Sequence, residues 1–345
     1  MSLRIAVVHH DPLARATLRR LLAAEPDYTV QWMAENGAEA LQNCRRNRPE
    51  ILLVDLALAG RDSVQLICDV MKSCPCAVLV LADTFHQQAG RIFEAMGCGA
   101  LDVVATPSSH GNGPLEGEGP FLKKMATMGK LLGKTDLRPR PAPGGGKAVA
   151  DRLPPLVAIG SSTGGPKALA AILAGLPAGL GAAIVIAQHV DVQFAGGLAE
   201  WLNSQTPLTV MLVREGMRPL AGMVLVAGTN DHLVLGEDLA FHYTEEPKDY
   251  PYRPSVNALF ESLRQFWPRK DVAALLTGMG RDGGTGMAAL KQAGWHTITQ
   301  DEKTSVVYGM PAAAIELGGA VEILPLDRIA GAILKKLPGG ASGTK

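Results

Sequence analysis

The chain has no excess of charge of either sign. Its 345 residues carry 33 Lys and Arg against 33 Asp and Glu. No basic surplus argues for nucleic acid, and no acidic tail argues for a solvating segment. A signal peptide is not legible at the start: in MSLRIAVVHHDP the apolar stretch is short, and His9, His10, Asp11 and Arg15 follow it. An unbroken apolar run of membrane length is lacking too. The window 169–187 is long enough, but Pro177 and three glycines interrupt it. A helix, a tight turn and a buried strand fit it better. These absences predict a cytoplasmic protein with no membrane insertion. The five cysteines (Cys44, Cys68, Cys74, Cys76, Cys98) are odd in number and lie in the first hundred residues. They form no C-x-x-C pair and have no histidine neighbour, which excludes a zinc pattern. Free thiols in a reducing compartment are the expectation.

What is present is α/β alternation, twice. The length suggests two domains, and 47% apolar with 19% charged residues fits a globular chain. In the first half RIAVV, TVQWMA, ILLVDLA, AVLVLA and ALDVVA alternate with helical stretches. Asp11 reads as an N-cap with Pro12 at the first helical position. Continuous apolar strands predict a parallel sheet covered on both faces. Residues 121–132 read as a closing helix. LRPRPAPGGGKAVADRLPP then has proline, glycine and charge without period, the composition of a tether. The second half alternates again, with a β-rich insertion, MVLVAG–HLVLG–LAFHYT. The domains expected are 1–133, a linker over 134–153, and 154–337. Both domains should be doubly wound α/β folds with parallel sheets, and no internal repeat is evident.

The chemistry sits in the second half. In VAIGSSTGG an apolar strand stops at Gly160, and Gly160, Ser162 and Gly164 satisfy G-x-S-x-G. A sharp strand-to-helix turn of this kind lifts its central hydroxyl, Ser162, above the sheet edge. Alone the pentapeptide is a weak signal, and on it alone a helix N-cap in a glycine-rich turn is the favoured reading. A phosphate cradle is poorly supported, because neither GK[ST] nor GxGxxG is present. His189 directly follows the strand AAIVIAQ, at the carboxyl edge where α/β sheets place their crevice. His232 and His242 lie in short strands, and His296 opens a strand at the far edge. Asp282, in LLTGMGRDGGTGM, again follows a strand; it could alternatively cap the helix GMAAL. Ser, His and Asp at three strand ends suit nucleophile, general base and orienting carboxylate. Their order along the chain differs from that of α/β-hydrolases.

IGSSTGGP, Gln188-His189, RPSVNALF, LLTGMGRDGGTGM and SVVYGMPAAA, in this order from about Leu156 to Leu326, resemble the catalytic domain of the chemotaxis protein-glutamate methylesterases, the CheB family. The resemblance implies a Rossmann-like esterase that hydrolyses glutamyl methyl esters on methyl-accepting chemoreceptors, and deamidates particular receptor glutamines, without a cofactor. It implies Ser162 as nucleophile, His189 as base and Asp282 as third member. Thr163 lies beside the nucleophile, and the Met279 backbone is a candidate oxyanion donor. Two residues depart from the pattern: Ser161 replaces an alanine, and Asn257 replaces the acid of RPSVD.

The first half resembles the flavodoxin-type response-regulator receiver that precedes this esterase, which implies a chemosensory histidine kinase as partner. Asp55 stands at the phosphoacceptor position. The acidic pair is His9-His10, the switch hydroxyl is Ala82, and the lysine before Pro107 is Thr106. These losses argue against Mg²⁺ and against ordinary phosphorylation, and predict a pseudo-receiver that docks on or covers the esterase. His9-His10 is expected to be a surface loop pair without a ligand, with Asp55 and Asp11 the only nearby acids. A non-catalytic scaffold of a sensory array and a nucleotide-binding α/β protein are the rival readings.

Overall fold

A computed structural model describes residues 2–58, 63–83, 85–108, 115–132 and 153–337. The tether expected over 134–153 lies, except for Leu153, outside them. The chain divides into two compact units, residues 1–136 and 137–345. Among the described residues no helix is long and apolar enough to cross a membrane.

The first unit runs β1 (Leu3–Val8), α1 (Pro12–Ala24), β2 (Tyr28–Ala34), α2 (Gly37–Arg46), β3 (Ile51–Asp55), α3 (Ser63–Ser73), β4 (Ala77–Leu81), α4 (Phe85–Gly97), β5 (Asp102–Val104) and α5 (Glu118–Leu132). Its sheet is parallel throughout, in the order β2-β1-β3-β4-β5. That is the flavodoxin-like doubly wound order. Ile51 to Val54 and Val78 to Leu81 are fully buried, as strands covered by helices on both faces must be. Leu18 and Leu22 of α1 and Phe121, Met125 and Met128 of α5 close one face. Asp11 caps α1 as its sequence predicts, its carboxylate accepting from the Leu13 and Ala14 N–H groups. The expectation of free thiols fails for two cysteines. Cys68 and Cys98 are joined in a disulfide across a Cα–Cα distance of 4.8 Å, although 30 residues separate them. Packing of α3 against α4 makes that approach, and no local spacing could have shown it. Cys44, Cys74 and Cys76 are free; burial pushes the Cys76 thiol up to about 12, which leaves it unreactive.

The second unit runs β6 (Leu156–Ser161), α6 (Gly165–Ala174), β7 (Ala183–Gln188), α7 (Val192–Gln205), β8 (Thr209–Leu212), β9 (Met223–Val226), β10 (His232–Leu235), β11 (Phe241–Thr244), α8 (Val256–Phe266), β12 (Val272–Leu275), α9 (Gly284–Gln292), β13 (His296–Gln300), α10 (Met310–Glu316), β14 (Glu322–Leu324) and α11 (Leu326–Lys336). Seven strands form a parallel sheet in the order β14-β13-β12-β6-β7-β9-β8. The β-rich insertion splits: β9 joins this sheet, while β10 and β11 make a separate antiparallel hairpin. The chain starts at β6, fills one side, then returns to the other through β12. The reversal between β6 and β12 is where such sheets open a crevice at their carboxyl edge. Trp267, Trp295, Phe241 and Phe260 anchor the core beneath it.

Candidate active site

Ser162 lies one residue beyond β6 and His189 one residue beyond β7. These strands are paired in parallel with Ser161 opposite Gln188, so the two side chains start level with one another. The loop is held from both neighbours. Gln188 is fully buried; its Oε1 accepts the Ser161 hydroxyl at 2.7 Å, and its Nε2 donates to the Ser162 and His189 carbonyls at 2.9 and 3.0 Å. From the loop after β12, the Thr277 carbonyl accepts the Ser162 N–H at 3.0 Å and its hydroxyl donates to the Thr163 carbonyl at 2.8 Å. Ser161 is thus committed to Gln188 and fully buried, which makes it a structural serine.

The turn is not the strained elbow that the pentapeptide suggests. Among the described residues Leu239 is the one non-glycine with positive φ, so Ser162 is not left-handed. Gly164 takes that role at φ +79° and caps α6. Gly278 serves a different need: a Cβ there would stand 2.8 Å from Ser162 Cβ. Glycine therefore lets the β12 loop close on the serine.

The His189 Nε2 pairs with the Asp282 Oδ2 at 2.7 Å. The other ring nitrogen, Nδ1, is buried with no hydrogen-bond partner, so it is not bonded to Ser162. The Tyr252 ring stacks on the imidazole, centroids 4.3 Å apart and planes within 6°. Burial and the nearby Asp282 push the Tyr252 phenol up, and its hydroxyl has no partner.

Asp282 does not act as the side-chain cap of α9, whose N-cap residue is Gly283 and which has no side-chain cap. Its carboxylate instead meets the N-terminus of α8. Oδ2 accepts the Val256 N–H at 2.7 Å; Oδ1 accepts the Ser255 hydroxyl at 2.9 Å and the Asn257 and Gly283 N–H groups at 3.0 Å each. Burial alone would raise this carboxyl group's pKa, but the bonds from His189, Val256 and Asn257 outweigh it and hold it low. A helix N-terminus is a natural seat for a carboxylate. Asn257 is explained by the same contacts: its Oδ1 accepts the Gly286 N–H at 2.8 Å, tying α8 to α9. The Thr163 and Met279 N–H groups have no hydrogen-bond partner among the described residues. Sequence reasoning missed Tyr252, Gln188's bracing role, Ser255 and His232. The fully buried His232 accepts the Ser255 N–H at its Nδ1 (3.1 Å) and bonds the Pro247 carbonyl through Nε2 (3.1 Å). His242 and His296 pair with Glu215 and Glu322, away from this cluster.

The first unit has a second cluster, and it corrects the expectation for His9-His10. His9 is buried, not a surface residue, and both imidazoles face Asp55 at the carboxyl edge of the sheet. The Asp55 Oδ1 accepts the Ala57 N–H at 2.8 Å, while Oδ2 bonds His10. Asp11 is engaged in capping α1, and Asp83 is a further acid close enough to act on His9. Ala82 and Thr106 stand at the ends of β4 and β5, the Thr106 hydroxyl buried without a partner. A receiver of this kind ordinarily implies Mg²⁺. Two imidazole nitrogens and the Asp55 carboxylate do not fit an ion that demands oxygen ligands.

The CheB methylesterase family model matches residues 157–333, and the response regulator receiver domain model matches 5–112. The chain is 48% identical over 336 residues to a protein-glutamate methylesterase/protein-glutamine glutaminase of Pseudomonas fluorescens, covering 97% of this chain and all of the relative. It is 43% identical to one from Pseudomonas aeruginosa, covering 95% and 98%. The crystal structure of the Thermotoga maritima CheB methylesterase catalytic domain superposes with a TM-score of 0.50 at 35% identity, covering 53% of this chain and 98% of that one.

Proposed function

The chain belongs to the CheB methylesterase family, and from that premise we propose that its second unit hydrolyses glutamyl methyl esters on chemoreceptors by an acyl-enzyme route. One observation carries the assignment of roles. Asp282 occupies one nitrogen of His189 and leaves the other buried and unpartnered, level with Ser162 across two paired strands. With its Nε2–H donated to Asp282, the imidazole has its Nδ1 lone pair free to take the Ser162 proton. Ser162 Oγ attacks the ester carbonyl, and the unused Thr163 and Met279 N–H groups are the donors for the resulting oxyanion. The imidazolium is stabilised by the charged Asp282 and returns the proton to the leaving methoxide, releasing methanol. Water, activated by the same nitrogen, frees glutamate. A receptor glutamine enters the same route with ammonia leaving. Side chains and backbone handle every proton and charge, so no cofactor is called for.

Methanol release from methylated chemoreceptor fragments tests this reading. Wild type should turn over, and Ser162→Ala should lose roughly 10⁶-fold. A Ser162→Ala variant as active as wild type would overturn it, and no release by wild type would favour the scaffold reading. The receiver-like unit is the natural contact for a chemosensory kinase. We assign it no ordinary phosphorylation, because His9 and His10 stand beside Asp55 where oxygen ligands for Mg²⁺ would be needed. Incubation with Mg²⁺ and acetyl phosphate should leave Asp55 unmodified and the esterase rate unchanged.

A further inference from the structure

We propose that His9, His10 and Asp55 form a binding site for a borderline divalent transition metal, with Zn²⁺ as its representative, in place of the Mg²⁺ site ordinary to receivers. The three side chains are the one group of His, Cys, Asp or Glu among the described residues whose ligand atoms all lie close together, within 4.8 Å of one another. His9 Nδ1 lies 3.6 Å from Asp55 Oδ2, and His10 Nδ1 bonds the same oxygen. Ligands around a tetrahedral zinc at about 2.0–2.1 Å stand roughly 3.3 Å apart. The cluster is therefore within a small adjustment of a three-ligand site.

The donor set decides the metal. Two imidazoles and a carboxylate suit zinc and its neighbours in the first transition row, whereas Mg²⁺ retains water and asks for oxygen. The loop that carries the imidazoles is held in advance. Arg15 donates to both the His9 and His10 carbonyls, at 2.7 and 3.0 Å, and so fixes the loop that carries them. His9 is only 3% exposed, and its Nδ1 accepts the Asp11 N–H at 3.1 Å. That nitrogen is therefore unprotonated, and its lone pair passes from the N–H to the metal. The partner nitrogen, Nε2, is buried without any hydrogen bond. The His10 side chain is 47% exposed, which leaves an entry path and room for a water at the fourth position. On binding, the metal displaces the proton shared between His10 Nδ1 and Asp55, which leaves to solvent. Asp55 then holds a cation through nitrogen-rich coordination and is withdrawn from phosphoryl chemistry.

The test uses the full untagged chain, with calorimetric titration of Zn²⁺ and of Mg²⁺ and the absorption spectrum of the Co²⁺ form. We expect one Zn²⁺ per chain and no competition from millimolar Mg²⁺. His10→Ala and Asp55→Asn should each weaken binding at least about tenfold, as loss of a ligand must exceed the cost of losing a supporting residue. His242→Ala, at an exposed pair elsewhere, should bind as wild type. Melting curves confirm that the variants are folded; His10→Ala is the safer, its side chain being half exposed. Absence of zinc binding, competition by Mg²⁺, wild-type affinity in the folded His10→Ala or Asp55→Asn variants, or a cobalt spectrum dominated by thiolate charge transfer would each overturn the proposal.

Discussion

Ser161 and Ser162 are chemically identical neighbours with opposite environments. The Ser161 hydroxyl is buried and donated to Gln188, while the Ser162 backbone is pinned and its side chain left out of the bracing network. Ser161→Ala should therefore cost about 1–3 kcal/mol of stability, by leaving the Gln188 oxygen unsatisfied, while keeping most turnover. Ser162→Ala should do the reverse. Paired melting curves and methanol assays separate the two, and a dead, fully stable Ser161→Ala would refute the assignment. Tyr252 gives a second contrast. Its hydroxyl has no partner, so Tyr252→Phe should leave turnover within about twofold, while Tyr252→Ala removes the ring stacked on His189. An aromatic contact of about 0.5–1.5 kcal/mol corresponds to a loss of roughly two- to tenfold. Equal rates in Phe and Ala variants would deny the ring any positioning role. Ser162, His189 and Asp282 could be singled out from the sequence because each lies beyond an apolar run that marks a strand end, and the structure pairs His189 with Asp282. Tyr252 was not, since 245–255 has no periodicity and its ring reaches His189 across 63 positions of sequence, from 189 to 252.

At the scale of elements, the orienting carboxylate and the start of α8 are one structure. Asp282 binds His189 and also satisfies the first two N–H groups of that helix and its Ser255 cap. Asp282→Asn should thus damage two properties that Ser162→Ala keeps apart. Turnover should fall roughly 10⁴-fold, by analogy with removal of an orienting charge. Stability should fall by about 3–5 kcal/mol, because an amide presents a donor to groups that are donors already. A stable but inactive variant would mean that Asp282 serves His189 alone. Asn257 belongs to the same junction: Asn257→Ala loses the Gly286 bond and should cost about 1 kcal/mol, whereas Asn257→Asp keeps an acceptor and should remain active. A large turnover loss in Asn257→Asp with stability intact would point instead to substrate recognition. The strand–helix alternation and the parallel sheets were legible from continuous apolar runs and helical spacing. The β10–β11 hairpin was not separable from β9, because three short β-rich runs look alike until pairing is known. The Cys68–Cys98 bridge and the facing of Asp282 toward α8 also depend on which helices become neighbours, which local pattern does not encode.

At the scale of the whole molecule, each unit carries a buried neutral histidine, and this sets how stability responds to acid. In the second unit the His232 pKa is lowered, chiefly by burial. The geometry agrees: protonating Nδ1 would break its bond from the Ser255 N–H, at the point where α8 meets Asp282. The unfolded chain therefore binds a proton that the folded unit refuses. Between the depressed folded pKa and the ordinary value of 6.5, stability is lost as pH falls. Asp282 adds a second loss only below its ordinary 3.8, since its folded pKa is lowered as well. His242 works the other way. Glu215 and Asp238 raise its pKa, so its pairing contributes stability below 6.5 that is lost as pH rises through the folded pKa. That pair is exposed, and moderate salt screens it. Urea unfolding of the full chain in about 0.3 M salt, followed by tryptophan fluorescence, reports this unit, since Trp201, Trp267 and Trp295 lie in it and only Trp32 in the other. The unfolding free energy should decline from pH 7 to 5. His232→Gln should start lower, because the fit around Ser255 is disturbed, but should decline less over the same range. A wild-type profile that is flat or rises toward pH 5 would contradict a neutral His232, and equal slopes in the two proteins would move the acid sensitivity to another group.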